Sequence, residues 1–156
     1  MLTIRKATKE DSDVLSILYR ELEEDAVRYQ PEHFVLSPDG TRAEQMEDFW
    51  NSDHQAMFVA DMDGEVIGFA HAVLIPAKKV PCLKPQTALY LQDLIVTSEY
   101  RSQGIGAKLM EVVRQYGRDN GADFFRTQVF PKNEAGLRFY HRIGFKEAMI
   151  TIESSL

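Results

Sequence analysis

Residues 89–110 read LYLQDLIVTSEYRSQGIGAKLM: an apolar, strand-like run passes through a short loop into a helix, with Gly104 and Gly106 at the helix mouth. Glycine in a helix is worse than alanine by about 1 kcal/mol, so two of them there need a reason. Behind them Ile105, Leu109, Val112, Val113 and Tyr116 recur at i, i+4, i+7, i+8 and i+11, the stripe of a helix with one buried side. A strand feeding such a helix commits the chain to an α/β layer arrangement. The first-turn amides of the helix have no partner within it, and its dipole adds a partial positive charge. Glycine lets an oxygen approach that backbone closely. The pattern is that of an anion site, and of phosphate in particular.

The rest of the chain supplies the layers. LTIRKA (2–7) alternates as a short first strand. From Thr8 to about Tyr29 the pattern is helical, with Val14, Ile17, Leu18 and Leu22 as the expected buried stripe and Glu21, Glu23, Glu24 and Asp25 crowding its C-terminal part. YQPEHFVLSPDG (29–40) is a loop with two prolines and a Pro-Asp-Gly turn. Thr41 with Glu44 forms a capping box for a helix to about Ser52. AMFVADMDGEVIGFAHAVL is a hairpin turning at Asp63-Gly64. AKKVPCLKP links it to a strand over 87–96. After the glycine helix, NGAD stops the chain, FFRTQVF (124–130) is a strand, Asn133 opens a helix to about Ile143, and FKEAMITIES is a last strand. The expected product is one domain over 1–156, a mixed sheet with helices on both faces.

Composition narrows the function classes. With 18 Lys and Arg against 24 Asp and Glu, the net charge is −6. That argues against a nucleic-acid binder and is compatible with a cationic substrate. No apolar run reaches the ~20 residues that span a bilayer and no leader is evident, so a cytoplasmic protein is expected. The single cysteine, Cys82, excludes an internal disulfide and a multi-cysteine metal site and reads as a small apolar residue of a connecting segment. His33, His54, His71 and His141 show no metal-ligand spacing.

Among phosphate-binding patterns, GxGxxG from Gly104 would need a glycine where Leu109 stands, and GxxxxGK[ST] is absent. Present instead is Arg101-x-x-Gly104-x-Gly106 after an apolar strand. With PKNEAGLRFYHRIGF (131–145) this resembles the GNAT superfamily of acetyl-CoA-dependent N-acetyltransferases: the first stretch looks like its acyl-CoA motif and the second like its C-terminal N-x-x-[AG]-x-x-[FL]-Y-x-x-x-G-F motif. The specific motifs cover residues 89–145.

The resemblance implies a mostly antiparallel sheet with a strand pair splayed at the cofactor site. It assigns the CoA pyrophosphate to the amides of Ser102, Gln103, Gly104, Ile105, Gly106 and Ala107, with Arg101 opening the loop. Leu94, Ile95 and Val96 would hold the pantetheine arm along the strand edge. Asn133, Gly136 and Tyr140 fall on one helical face at i, i+3 and i+7. A ligand along that face accounts for the missing side chain of Gly136, and Asn133 is equally suited to cap the helix. Tyr140 is implied to protonate the departing thiolate or, alternatively, to be a core aromatic; a phenol near ~10 is close enough to a thiol near ~8.5 for that transfer.

The acceptor amine must be neutral to attack. At pH 7 an amine of pKa ~10 is free base to about one part in a thousand, a cost of ~4 kcal/mol. Polyamine acetyltransferases, which resemble this chain around LYLQDL, carry a glutamate base where Gln92 stands, and glutamine accepts no proton. Asp93 is a base candidate or a structural residue, and Glu24, Asp25, Glu32 and His33 lie where family members bind acceptors. The expected activity is acetyl transfer to a primary amine by direct attack in a ternary complex. Small amines, aminoglycosides, amino acids and protein N-termini stay open as acceptors, with a small cationic amine favoured by the charge. A CoA-binding regulatory module without catalysis is the alternative. No metal, nucleic acid or membrane partner is expected, and family likeness implies a homodimer joined through the last strand.

Overall fold

The computed structural model describes residues 1–39 and 41–156; Gly40 and the side chains of Thr41 and Ala43 lie outside the described set, and with them the Thr41 capping box and the end of the Pro-Asp-Gly turn. In chain order the elements are β1 (Leu2–Lys6), a 3-10 turn (Lys9–Asp11), α1 (Ser12–Tyr29), α2 (Thr41–Trp50), β2 (Gln55–Met62), β3 (Glu65–Ile75), β4 (Ala88–Val96), α3 (Ile105–Asp119), β5 (Phe124–Arg126) and α4 (Glu134–Arg142). The sheet runs β1-β2-β3-β4-β5, antiparallel except for the parallel pair β4–β5. Asp63 and Gly64, at φ 52° and 95°, make the β2–β3 turn, two left-handed residues as a two-residue hairpin requires.

Alternation along the strands sorts apolar side chains into two layers. Phe58, Ile67, Ala70, Ala72, Leu89 and Leu91 face α3, which returns Leu109, Met110 and Val113. Met57, Val59, Phe69 and Ile95 face the other way, onto Leu15, Leu18 and Tyr19 of α1 and Met46 of α2. Of the expected α1 stripe, Val14, Leu18 and Leu22 pack into this layer, but Ile17 is 64% exposed and its place is taken by Leu15 and Tyr19, whose ring packs on Phe69 at 4.7 Å. At the start of α1, Arg5 forks onto Asp11 at 2.9 Å and reaches Asp61 at 3.0 Å. The hydrogen bond from Arg5 holds the Asp11 carboxyl below the usual carboxylate range.

Two strand expectations fail together. β5 stops at Arg126, and residues 127–130 leave the ladder; Thr127 Oγ1 instead donates to Leu91 O at 3.0 Å. Residues 145–156 form no strand, and Met149, Ile150 and Ile152 are 88%, 75% and 88% exposed. A strand needs a neighbour's ladder, and β5 offers its own tail only three residues of one.

Candidate functional site

The site gathers where β4 ends. Past Val96 the chain makes a short 3-10 turn (Ser98–Tyr100), then Ser102 at φ 64° and Gly104 at φ 79° curl the backbone into the left-handed region before α3. Arg101 Nε donates to Val96 O at 2.9 Å and closes the loop on itself. Among the described residues the amides of 102–107 meet no acceptor in the chain, and the first to do so is that of Lys108, on Gly104 O. A run of free N–H groups at the head of a fifteen-residue helix is a cradle for an oxyanion. A Cβ on Gly106 would meet the Phe139 ring of α4 at 3.4 Å, an ordinary contact, so packing by itself does not demand glycine there.

Beside that cradle β4 is free along one edge. Its pairing with β5 ends at Tyr90↔Arg126, which leaves Leu94, Ile95 and Val96 without that neighbour, as a splayed pair requires. The other edge explains how. Against β3, His71 pairs with Asp93 but Ala72 pairs with Leu91, so Gln92 is an extra residue, a β-bulge. Leu89 and Leu91 face α3, whereas Ile95, an even number of residues further on, faces α1 and α2. The bulge changes the phase of the strand and leaves Gln92 exposed.

Asp93 is therefore on the α1–α2 side, half-buried, with Tyr19 Oη donating to its Oδ2 at 3.2 Å and His71 Nδ1 3.4 Å from the same oxygen. His71 Nε2 meets Gln55 Oε1 of β2 at 2.7 Å, and Phe49 of α2 stands edge-on to the ring at 5.0 Å. Arg42 lies over the Tyr19 ring at 4.4 Å. Burial first, then the Asp93 charge, push the Tyr19 phenol far above its ordinary value. The same two causes raise Tyr90.

Tyr140 reaches this place from α4. Asn133 caps that helix, its Oδ1 accepting from Gly136 N at 3.0 Å. A Cβ on Gly136 would lie 2.5 Å from Asn133 Nδ2, so the cap side chain occupies the space. The missing side chain of Gly136 needs no ligand to explain it. The Tyr140 ring packs against Phe139 and Phe145 at 5.1 and 5.5 Å. Burial foremost pushes its phenol up to about 12; hydrogen bonding to Thr127 draws it down, and the Asp93 charge adds to the rise.

The acidic residues expected to meet an acceptor do not join this cluster. Glu24 is exposed, Asp25 pairs with Arg28, and His33 Nε2 meets Glu153 Oε2 at 2.7 Å. Glu32 is likewise exposed, and Cys82 is exposed on the β3–β4 connection. What sequence reasoning passed over is Tyr19, Gln55, His71 and Thr127. Only His71 left a signal, a lone imidazole in the otherwise apolar run GFAHAVL. A cleft of about 520 Å³, lined by Lys6, Gln55, Tyr116 and Asp119 among others, lies at the C-terminal half of α3; it shares Gln55 with this cluster but holds none of the expected site residues. Among the described residues no group of three His, Cys, Asp or Glu is placed to hold a metal, and no helix is long and apolar enough to cross a membrane.

Residues 16–145 match the family model described as "Acetyltransferase (GNAT) family". Aminoglycoside N(6')-acetyltransferase type 1 of Salmonella typhimurium is 26% identical over 110 residues, which is 70% of this chain and 75% of that protein. The probable N-acetyltransferase camello of Xenopus tropicalis is 30% identical over 105 residues, 67% of this chain but 45% of its own length. Among solved structures, a mutant of the BH1408 protein from Bacillus halodurans superposes with a TM-score of 0.93 at 21% identity over 99% of both chains. AAC(6')-Iy in complex with a bisubstrate analog, CoA-S-monomethyl-acetylneamine, gives 0.78 at 24% identity over 100% of this chain and 98% of the other. At these identities the structural likeness is one of fold.

Proposed function

The chain belongs to the acetyltransferase (GNAT) family and is an acetyl-CoA-dependent N-acetyltransferase, and from that premise we propose how its residues divide the work within a single catalytic domain. Acetyl-CoA supplies an activated thioester. The amides of Ser102, Gln103, Gly104, Ile105, Gly106 and Ala107 hold the pyrophosphate, with Arg101 fixing the loop rather than reaching out of it. The edge of β4 at Leu94, Ile95 and Val96, free of β5 and engaged only where Arg101 holds the Val96 carbonyl, takes the pantetheine arm as an added strand. Asn133 and Gly136 set the start of α4, and through it the position of Tyr140. Tyr140 holds a proton on Oη where negative charge develops on sulfur.

Attack is direct, in a ternary complex. Asp93 faces the incoming ammonium and is the catalytic carboxylate; Gln92, exposed beside it, lines the site without taking a proton. The acceptor is a small cationic amine, in keeping with the net charge of −6 and an inward carboxylate. The observation that carries this reading is the coincidence, at one end of β4, of free amides, a free strand edge and the half-buried Tyr140 phenol.

The exposed apolar residues of the tail beyond Phe145, Met149, Ile150 and Ile152, support a homodimer in which each tail completes the other copy's β5 edge. An exposed free thiol and dependence on CoA suit a reducing, cytoplasmic setting. The test of the activity is CoA release from acetyl-CoA with neamine, spermidine, lysine and a short peptide, beside a calorimetric titration with acetyl-CoA. Release with one class names the acceptor. Absence of acetyl-CoA binding would bring down the assignment of the glycine loop.

A further inference from the structure

The contacts around Asp93 carry one step more, which rests on the reading of Asp93 as the acceptor-site carboxylate. An isolated carboxylate, titrating near ~4, is a poor proton acceptor for an ammonium near ~10. Asp93 is not isolated. Its Oδ2 is shared by Tyr19 Oη at 3.2 Å and His71 Nδ1 at 3.4 Å, while Gln55 Oε1 stands 2.7 Å from His71 Nε2. A carboxamide oxygen only accepts, so Nε2 carries a hydrogen. In neutral imidazole that leaves Nδ1 bare, its lone pair aimed at a carboxylate oxygen. Two acceptors face each other with room for one proton between them.

We propose that His71, through Asp93, completes the proton acceptor for the amine: Gln55 fixes the tautomer, and Asp93 Oδ2 and His71 Nδ1 together hold the proton the ammonium gives up. The ammonium N–H breaks, its electron pair stays on nitrogen for attack, and the proton bonds Nδ1, making an imidazolium that donates to Asp93 and to Gln55 at once. Other groups facing the pair leave this site to it. Tyr19 of α1 already donates to Oδ2, Arg42 of α2 is engaged over the Tyr19 ring, and Phe49 is uncharged. Tyr90 and Tyr140 feel the Asp93 charge from the other side. His71 thus takes the proton through Asp93, without touching the amine itself.

The first test needs no acceptor. Proton NMR of the intact, 15N-labelled protein at acidic to neutral pH should show a resonance far downfield of the amides, bonded to His71 Nδ1, present in wild type and lost in Asp93→Asn. If no proton is found on His71 Nδ1 at any pH where the protein is folded, or if it persists unchanged in Asp93→Asn, the shared site is refuted. The second test follows kcat against pH for His71→Asn, whose amide keeps a donor toward Asp93 but does not titrate. With whichever of neamine, spermidine or lysine releases CoA, the deficit should be of order a hundredfold at pH 7 and shrink as the solution itself supplies free amine. A deficit equal at every pH would mark His71 as merely structural. Full activity in Asp93→Asn would sink the acceptor-site reading itself; a defective Asp93→Asn beside a normal His71→Asn would sink this inference alone.

Discussion

Replacing Tyr140 by phenylalanine removes the hydroxyl and its hydrogen bonding to Thr127 but leaves the ring in place. The ring contacts to Phe139 and Phe145, at 5.1 and 5.5 Å, survive the change. The phenol, pushed up to about 12, lies well above a thiol near ~8.5. Complete proton transfer to a thiolate would then run uphill by roughly 3.5 pH units, about 5 kcal/mol. In the proposed role Tyr140 would act as a fully protonated donor to developing negative charge, and a hydrogen bond to a charged group contributes about 1.5–3 kcal/mol. The expected loss in kcat for Tyr140→Phe is about 10- to 150-fold, with acetyl-CoA affinity nearly unchanged. Because the phenol keeps its proton until about pH 12, wild-type kcat should show no tyrosine limb below about pH 11. The assay is steady-state CoA release, paired with calorimetry on both proteins. An unaltered kcat in the variant, or a fall in acetyl-CoA affinity as large as the rate loss, would refute the donor role.

Gly106→Asp sets a carboxylate among the free amides of 102–107 and a side chain against the Phe139 ring, 3.4 Å from the position of its Cβ. Acetyl-CoA affinity should fall at least about a hundredfold, near 3 kcal/mol, and undiminished binding would remove the phosphate cradle. Deleting residues 146–156 takes away the exposed Met149, Ile150 and Ile152 and the Glu153 contact to His33. Sedimentation should then report a monomer in place of a dimer; a wild type that is already monomeric would rule out the exchanged tail.

What the sequence made legible was local. The Asp63-Gly64 turn, the α3 stripe and the glycine loop each depend on residues within a few positions, and all stand where the pattern put them. In α1 only Ile17 missed the core, because the buried face is centred on Leu15, Leu18 and Tyr19 by a distant ring, Phe69, that the helix's own spacing does not reveal. Gly136 was open to misreading since the side chain filling its space, Asn133, is identified only by the cap geometry. The Asp93–His71 pair was beyond reach for a different reason. It depends on the β3–β4 register, twenty-two residues apart in sequence, and on an irregularity in that register. Alternation counted from Leu89 and Leu91 would have placed Asp93 against α3, in an apolar layer where a carboxylate has no partner.

That irregularity is itself open to test. Gln92 is the extra residue of β4, so deleting it would make His71↔Asp93 and Ala72↔Leu91 consecutive pairs of a regular ladder without turning either side chain to the other face. No core contact is lost, since Gln92 is exposed. What changes is the bend and twist that a bulge imposes on its strand. The β4–β5 ladder ends at Tyr90, and the next carbonyl, that of Leu91, is taken by Thr127 Oγ1 instead of by a strand. The two strands separate where the bulge begins, and a straightened β4 is free to stay paired with 127–130, filling the edge that pantetheine would occupy. The Gln92 deletion should therefore fold with a melting temperature equal to or above that of wild type while binding acetyl-CoA at least about tenfold more weakly, roughly 1.4 kcal/mol. Circular dichroism and calorimetry on the same samples decide it. Unchanged acetyl-CoA affinity in a well-folded deletion would show that the bulge does not cause the splay, and the opening of the site would then have to be traced to β5 alone.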